Sequence, residues 1–224
     1  EFLSQNLSDY DWRIIIADNG STDSTPRIAK SLSEHDSCID YIRLEQRGRG
    51  RALRKAWLES DADIISYMDV DLSTDLNAFP ALVNAIDAEG YDVAIGSRLK
   101  KGAQVIGRPL GRELISRAYS FIFRTMFLTE FLDAQCGFKA LSHRAAHEVM
   151  PLVQDTGWFF DTELLILAEN NGFRIKELPV KWTDDPDSRV KVIATAFQDM
   201  MGLTRLRFGG LRRASKLLAK RGRA

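Results

Sequence analysis

A chain of 224 residues that is 45% apolar is long enough to bury one sizeable α/β core. Its 31 basic and 31 acidic residues cancel, which removes any global field drawing the chain to nucleic acid. Two cysteines, Cys38 and Cys136, make no disulfide framework, and neither a signal peptide nor an eighteen-residue apolar run is present, so ordinary thiols and a chain that does not span a membrane are expected. His143 and His147 are four apart, but Glu148 is misplaced for a His-Glu-x-x-His zinc site, and the pair reads as a solvated helix face.

Residues 1–10 read as the end of a helix and a turn. Residues 12–17 form an apolar strand that stops at Asp18-Asn19-Gly20-Ser21-Thr22-Asp23, ahead of a helix over 25–32. These polar residues serve either as turn and cap residues or as contacts for a nucleoside, since a carboxylate at a strand end can accept hydrogen bonds from a base or ribose. Residues 40–44 are a second strand. Arg47-Gly48-Arg49-Gly50-Arg51-Ala52 then opens a helix reaching about residue 59. The third glycine of a dinucleotide fingerprint is absent, which leaves an anion site at a helix start or a basic solvated turn.

The stretch over 62–75 organises the rest. Ile64, Ile65, Tyr67 and Met68 have the length and β-branched content of a buried strand, and Asp69-Val70-Asp71 closes it. Open α/β sheets bind ligands at the carboxyl edge, where two carboxylates one residue apart make a hard oxygen site for Mg²⁺ or Mn²⁺ carrying a phosphate ester. The same acids, with Ser73, Thr74 or Asp75, equally suit the cap of the next helix. A helix over 76–89 and a strand over 91–96, ending in Ser97-Arg98, complete an alternation that predicts a mostly parallel sheet flanked by helices.

A basic loop follows over 99–111, then an aromatic-rich helix over 112–131 that fits either a core helix or one lying on a membrane interface. Beyond Asp133-Ala134-Gln135-Cys136-Gly137-Phe138-Lys139, helices are expected over 143–151 and about 160–170, a strand over 174–180, a turn-rich loop over 181–190 and a helix over 192–207. From Arg205 onward there are eight basic residues and no acid, which divides the chain into a domain over 1–204 and a basic tail over 205–224.

Taken in order, the segments at 18–23, 47–52, 69–71, 96–98, 133–139, Phe160-Asp161-Thr162-Glu163 and Pro179-Val180-Lys181-Trp182 resemble the family 2 glycosyltransferases of the GT-A fold, and within them the polyprenyl- and dolichyl-phosphate glucose and mannose synthases. The resemblance implies metal-dependent, inverting hexose transfer to polyprenyl phosphate on a cytoplasmic membrane surface. The segment at 133–139 is nearer the glucose-transferring relatives, which favours UDP-glucose over GDP-mannose. It further implies that Asp18, Asn19, Gly20, Ser21, Asp23 and Arg51 meet the nucleotide, that Asp69 holds the donor, and that Asp71 with Asp69 holds Mg²⁺ or Mn²⁺. Asp133, Gln135, Asp161 and Glu163 would surround the transferred sugar and join Asp69 and Asp71 as catalytic residues. Arg98, Arg112, Ser116, Ser188 and Arg189 would approach the acceptor phosphate. The family's usual opening strand, ending in Pro-x-x-Asn-Glu, is not in this chain, and the first strand is therefore expected to be missing. Two alternatives stay open: the same fold acting on a non-lipid acceptor, and a nucleotide-binding module without turnover. A haloacid-dehalogenase-type phosphatase, with Ser73 where its Thr would stand, is the remote third.

Overall fold

The computed structural model describes residues 1–184 and 192–221. Its elements in chain order are α1 (Phe2–Asn6), β1 (Ile14–Asp18), α2 (Thr25–His35), β2 (Ile39–Arg43), α3 (Arg49–Leu58), β3 (Ile64–Met68), α4 (Phe79–Asp87), β4 (Val93–Ser97), β5 (Gln104–Ile106), α5 (Leu110–Phe127), β6 (Phe138–Ser142), α6 (His143–Val149), α7 (Phe160–Asn170), β7 (Ile175–Pro179), β8 (Lys181–Thr183), α8 (Val192–Arg205) and α9 (Leu211–Arg221). Among the described residues no helix is long and apolar enough to cross a membrane.

A four-stranded sheet in the order β3-β6-β4-β7 forms the centre. β4 and β7 run parallel, whereas β6 is antiparallel to both of its neighbours. β1 and β2 pair in parallel as a separate two-stranded sheet, and β5 pairs with β8 in a third. The two short strands β5 and β8 lie where sequence periodicity suggests only loop. β6 is the larger addition, because it brings the segment 133–137 to the carboxyl end of β3.

Side-chain alternation along the strands divides the core in two. Val93 and Ile95 of β4 and Leu141 of β6 face a large cluster built with α3, α5, α6 and α7. Ala94, Phe138 and Ala140 face a smaller cluster under α4. The aromatic helix is shorter than its composition suggests, since Leu128 takes a left-handed conformation and its amide closes on the Arg124 carbonyl at 2.7 Å. The basic segment after residue 205 breaks from helical geometry at Phe208 and Gly209 and resumes as α9, in which Ala214 is buried and Leu211 and Leu218 rest on the large cluster.

Close backbone approach explains the glycine spacing at the start of α3. The Gly50 amide donates to the Thr156 carbonyl at 3.0 Å, and a β-carbon on Gly50 would overlap the Phe160 ring at the start of α7. Gly48, at φ 152°, lies in a region favouring glycine and would also press on the Thr156 carbonyl. Gly50→Ala is expected to destabilise the protein by roughly 1–3 kcal/mol through overpacking, despite alanine's better helix propensity. Urea unfolding measures this directly.

Candidate functional site

The carboxyl end of β3 meets the amino end of β6 at a single tight contact. The Asp69 amide donates to the Gly137 carbonyl at 2.9 Å, and a side chain at 137 would overlap the Asp69 carboxylate. Beyond Asp69 the chain turns sharply: Leu72 adopts φ 52°, its amide reaches the Asp69 carbonyl at 3.1 Å, and the Asp71 Oδ1 accepts the Ser73 amide at 2.9 Å. This turn leaves Asp71 exposed and Val70 almost fully in solvent, at 97%. Capping of the next helical turn falls to Asp75, whose carboxylate accepts the Asn77 amide at 3.0 Å. Asp69 and Asp71 are therefore not needed as caps.

Behind Asp69 lies a buried chain of charges. Arg49 of α3 pairs with Asp69 at 2.9 Å and approaches Asp161 of α7 at 3.6 Å, while its guanidinium lies over the Tyr67 and Trp158 rings. Lys139 of β6, with no exposed surface, pairs with Asp161 at 3.0 Å and donates to the Tyr67 hydroxyl at 3.1 Å and the Cys136 carbonyl at 2.5 Å. The Tyr67 hydroxyl in turn donates to Asp161. Burial would raise the Asp161 carboxyl, but Lys139, Arg49 and the Tyr67 hydrogen bond outweigh it and hold it below its ordinary value. Asp69 goes the other way: burial, joined by the Asp161 and Asp71 charges, raises it against the pull of Arg49 and Lys139. An added cation beside Asp69 and Asp71 would reverse that shift.

On the far side of β6, Asp133 grips Arg98 at the end of β4. The Arg98 amide, Nε and Nη2 all donate to its carboxylate, at 3.0, 2.8 and 2.8 Å. Burial pushes the Asp133 carboxyl up, yet Arg98 and its hydrogen bonds prevail and hold it at about 2. Arg98 and Arg108 both lie on the Trp182 ring, and Arg108 also pairs with Glu113 at 3.0 Å and donates to Ser116. Arg112 of α5 pairs with Asp184 at 2.8 Å. A small cavity of about 10 Å³, room for one water-sized group, is lined in part by Arg98, Ser116, Asp133 and Gln135. Residues expected at the sugar and at the acceptor phosphate thus share one wall. Ser188 and Arg189 lie outside the described residues.

Gln135 donates through Nε2 to Asp199 of α8 at 2.8 Å. Glu163 is fully buried one turn along α7, where it accepts the Asp155 amide and pairs with Arg205, each at 2.7 Å. The polar corner after β1 is separate. Asp18 is buried and accepts the Ser21 amide at 2.9 Å and the Tyr41 hydroxyl at 3.0 Å; burial opposes ionisation, but these bonds and Arg43 leave its carboxyl below the ordinary value. Asn19 fixes the next segment by accepting the Gly48 amide at 2.6 Å, and Gly20 takes φ 68°. The Asp23 carboxylate accepts the Thr25 amide at 2.9 Å. Arg51 donates to the Arg47 carbonyl at 3.1 Å on the same rim.

Among the described residues no three His, Cys, Asp or Glu side chains converge as a ready metal cage. His143 and His147 instead stack on each other and bond to the Ala62 and Ser60 carbonyls. The Asp69 and Asp71 pair is still a fitting donor set for Mg²⁺ or Mn²⁺, ions that use one or two carboxylates and take the remaining ligands from water and phosphate oxygens. Sequence reasoning passed over Arg49, Tyr67, Lys139, Arg108 and Asp199. Arg49 lay in a motif already singled out, but the alternation of Arg and Gly does not say which arginine turns inward.

The profile of glycosyl transferase family 2 matches residues 1–150. Glycosyltransferase AglD of Haloferax volcanii is 37% identical over 193 residues, covering 86% of this chain and 30% of that protein. A dolichyl-phosphate beta-glucosyltransferase of Dictyostelium discoideum is 29% identical over 207 residues, covering 89% of this chain and 63% of the relative. The chain thus spans less than two thirds of the length of these relatives. Glucosyl-3-phosphoglycerate synthase from Mycobacterium tuberculosis, solved with Mn²⁺, UDP-glucose and glycerol 3-phosphate, superposes with a TM-score of 0.63 at 19% identity, covering 87% of this chain and 68% of that one. The shared fold is GT-A.

Removing one member of the buried charge chain leaves another uncompensated. Lys139→Met is expected to cost roughly 3–5 kcal/mol by stranding Asp161, and the double change Lys139→Met with Asp161→Asn should recover a good part of that loss. Denaturant unfolding of the two variants provides the comparison.

Proposed function

Because the chain belongs to glycosyl transferase family 2, we propose that it transfers a hexose from a nucleotide sugar to a polyprenyl phosphate such as dolichyl phosphate, with inversion and with Mg²⁺ or Mn²⁺ as cofactor. UDP-glucose is the favoured donor and GDP-mannose the second. The observation that carries this reading is the line of alternating charges running from Asp69 through Arg49 and Asp161 to Lys139 at a strand's carboxyl edge, with an arginine-lined wall opposite. Relatives named dolichyl-phosphate beta-glucosyltransferase in Dictyostelium discoideum and Saccharomyces cerevisiae support the choice of acceptor. Residues 1–204 act as the transferase domain and 205–224 as a basic docking segment.

Each group then has a task. Asp18, Asn19, Gly20, Ser21, Asp23 and Arg51 border the base and ribose. Asp69 and Asp71 hold the divalent cation, which supplies charge neutralisation for the departing nucleotide diphosphate. Asp133, Gln135, Asp161 and Glu163 shape the hexose pocket, and Arg98, Arg112, Ser116, Ser188 and Arg189 serve the acceptor phosphate. An acceptor phosphate oxygen forms a bond to the anomeric carbon while the bond from that carbon to the diphosphate breaks, the electron pair leaving with the diphosphate. A phosphate ester is already anionic at neutral pH, so orientation by arginines contributes more than a strong base. Arg49 remains protonated and offsets Asp69 and Asp161 throughout. Arg112 is held by Asp184, and an incoming phosphate would compete for the same guanidinium.

The acceptor lies in a membrane, and the protein's surface suits docking at its cytoplasmic face. Leu110, Leu114 and Phe121 of α5 are exposed, as are Phe197 of α8 and Phe208 after it. Leu211 and Leu218 are spent on the core, so α9 offers Arg212, Arg213, Lys216 and Lys220 around an exposed Leu217 rather than a broad inserting apolar face. Replacing those four residues by Glu should abolish most salt-sensitive sedimentation with anionic vesicles. Unchanged binding would remove α9 from the docking surface.

The decisive experiment incubates the full-length protein with labelled nucleotide sugars and either polyprenyl phosphate or glycerol 3-phosphate. Label in the lipid product supports the reading. Label only in the soluble product favours a non-lipid acceptor, as the bound glycerol 3-phosphate of the Mycobacterium tuberculosis structure suggests, and nucleotide binding without transfer favours a non-catalytic module. Asp71→Ala is expected to remove the Mn²⁺-dependent part of donor binding in calorimetry while leaving the circular dichroism unchanged. Arg112→Ala should lower transfer about 10- to 100-fold with nucleotide affinity intact, the loss expected for one charge-assisted contact.

A further inference from the structure

Asp199 is a carboxylate in the wrong place for a structural residue. The inward stripe of α8 consists of Asp199, Gly202, Leu203 and then Leu206, at helical spacing. Gly202 sets the depth of that stripe, because a β-carbon there would overlap the Phe159 ring. Leu203 and Leu206 fill the core as such positions normally do. Asp199 is only 3% exposed, and the described residues give it no ion-pair partner. Its Oδ2 accepts the Gln135 amide at 2.8 Å, and its Oδ1 is buried with no hydrogen-bond partner among the described residues.

A buried carboxylate oxygen without a donor is costly unless something supplies one. The groups facing Asp199 do not help. Asp155 and Asp161 repel its charge, and with burial as the main cause they push its carboxyl up to about 6, against the Gln135 hydrogen bond. Tyr119 directs its hydroxyl to Thr162. Farther along α8, Arg205 pairs with Glu163 through Nη2 and Oε2, while Arg205 Nη1 and Glu163 Oε1 are also buried without a partner among the described residues. At neutral pH the fold therefore keeps an ionised acceptor next to Gln135, itself two residues from Asp133 and on the wall of the small cavity. A carboxylate oxygen free to accept, joined to an amide that both donates and accepts, is the pair that recognises a sugar hydroxyl.

We propose that Asp199, acting with Gln135, accepts a hydroxyl of the transferred hexose and so sets which hexose the enzyme takes. This rests on the transferase reading above and adds a residue to the sugar pocket that no motif in the sequence marks. A purely structural Asp199 would lower stability when removed. A ligand-binding Asp199 costs stability while it waits for its ligand.

The test uses the full-length protein with Mn²⁺ and compares calorimetric affinity for UDP and for UDP-glucose, which needs no acceptor. In the wild type the hexose should add affinity over UDP alone. Asp199→Asn should keep UDP affinity within about twofold, lower transfer from UDP-glucose roughly 10- to 100-fold, and erase most of the affinity the hexose adds. Among UDP-deoxyglucose donors, the one lacking the contacted hydroxyl should be used equally by wild type and variant. The thermal midpoint of the variant should be unchanged or higher at pH 7. Asp199→Ser, which retains a small acceptor, serves if the amide variant fails to fold. The proposal is overturned if all donors lose the same factor, if the hexose adds no affinity in the wild type, or if the variant loses UDP binding. Failure of lipid transfer with the hexose contribution intact would instead sink the acceptor assignment and leave Asp199 standing.

Discussion

A lysine with no exposed surface at the middle of a sheet needs an anion, and much of this site follows from that need. Lys139 stands on β6 between β3 and β4, so its ammonium is satisfied only if α7 delivers Asp161 to it. The desolvation cost of the two charges is several kcal/mol each, recovered only when the geometry is good and the remaining hydrogen-bonding capacity is used. Here the Tyr67 hydroxyl and the Cys136 carbonyl use it. Fixing Asp161 fixes Arg49, and fixing Arg49 holds Asp69 at the exposed end of the chain of charges. The orientation of the carboxylate at the end of β3 is thus set by a fully buried lysine on the adjacent strand.

The glycines belong to the same logic. A charge network is rigid only where backbones approach closely enough to leave no slack, and Gly137, Gly50 and Gly202 each sit where a side chain would overlap a neighbour. Gly137 lets β6 meet the Asp69 carboxylate, Gly50 lets α3 carry Arg49 against α7, and Gly202 lowers α8 until Asp199 reaches Gln135. Three elements separated in sequence converge on one edge because each lacks a β-carbon at its crossing point.

The sequence was most legible where period and composition agree. β1, β2, β3 and β4 are short apolar runs closed by polar residues, and each lies within about two residues of the expected span. β6 was hidden by its own function: Lys139 interrupts what would otherwise read as an apolar run, so Phe138–Ser142 resembles a loop leading into α6. Asp69 and Asp71 stood out as acids closing an apolar run, whereas Arg98, Asp133 and Gln135 were marked only by the resemblance to the glycosyltransferase family. Arg49 and Asp199 went unmarked, since inward orientation depends on the phase of a helix, and that phase is fixed by contacts with Phe160 and Phe159 far away in sequence.

Two aspartates flank Gln135, one through the backbone and one through the side chain, and their environments drive them apart. Asp133 is held at about 2 by Arg98, so the stability it contributes is present above the ordinary aspartate value and lost as pH falls through about 2. Asp199 is raised to about 6, so the stability tied to its protonated form is lost as pH rises through about 6. Nearby, Arg49 pairs with Asp69 and approaches Asp161, Lys139 pairs with Asp161, and Arg98 pairs with Asp133. Of the two carboxylates that close the edge at the end of β3, Asp69 is paired with Arg49 at 2.9 Å and Asp71 is exposed beyond it. A nucleotide diphosphate would be repelled from such an edge on its own, and a hexose, being neutral, would not. The electrostatics therefore ask for the donor and the cation together. Asp199 meanwhile meets Gln135 through its side-chain amide, whereas Asp133 accepts its backbone amide, and for Asp199 a neutral hydroxyl is the partner that adds no further charge.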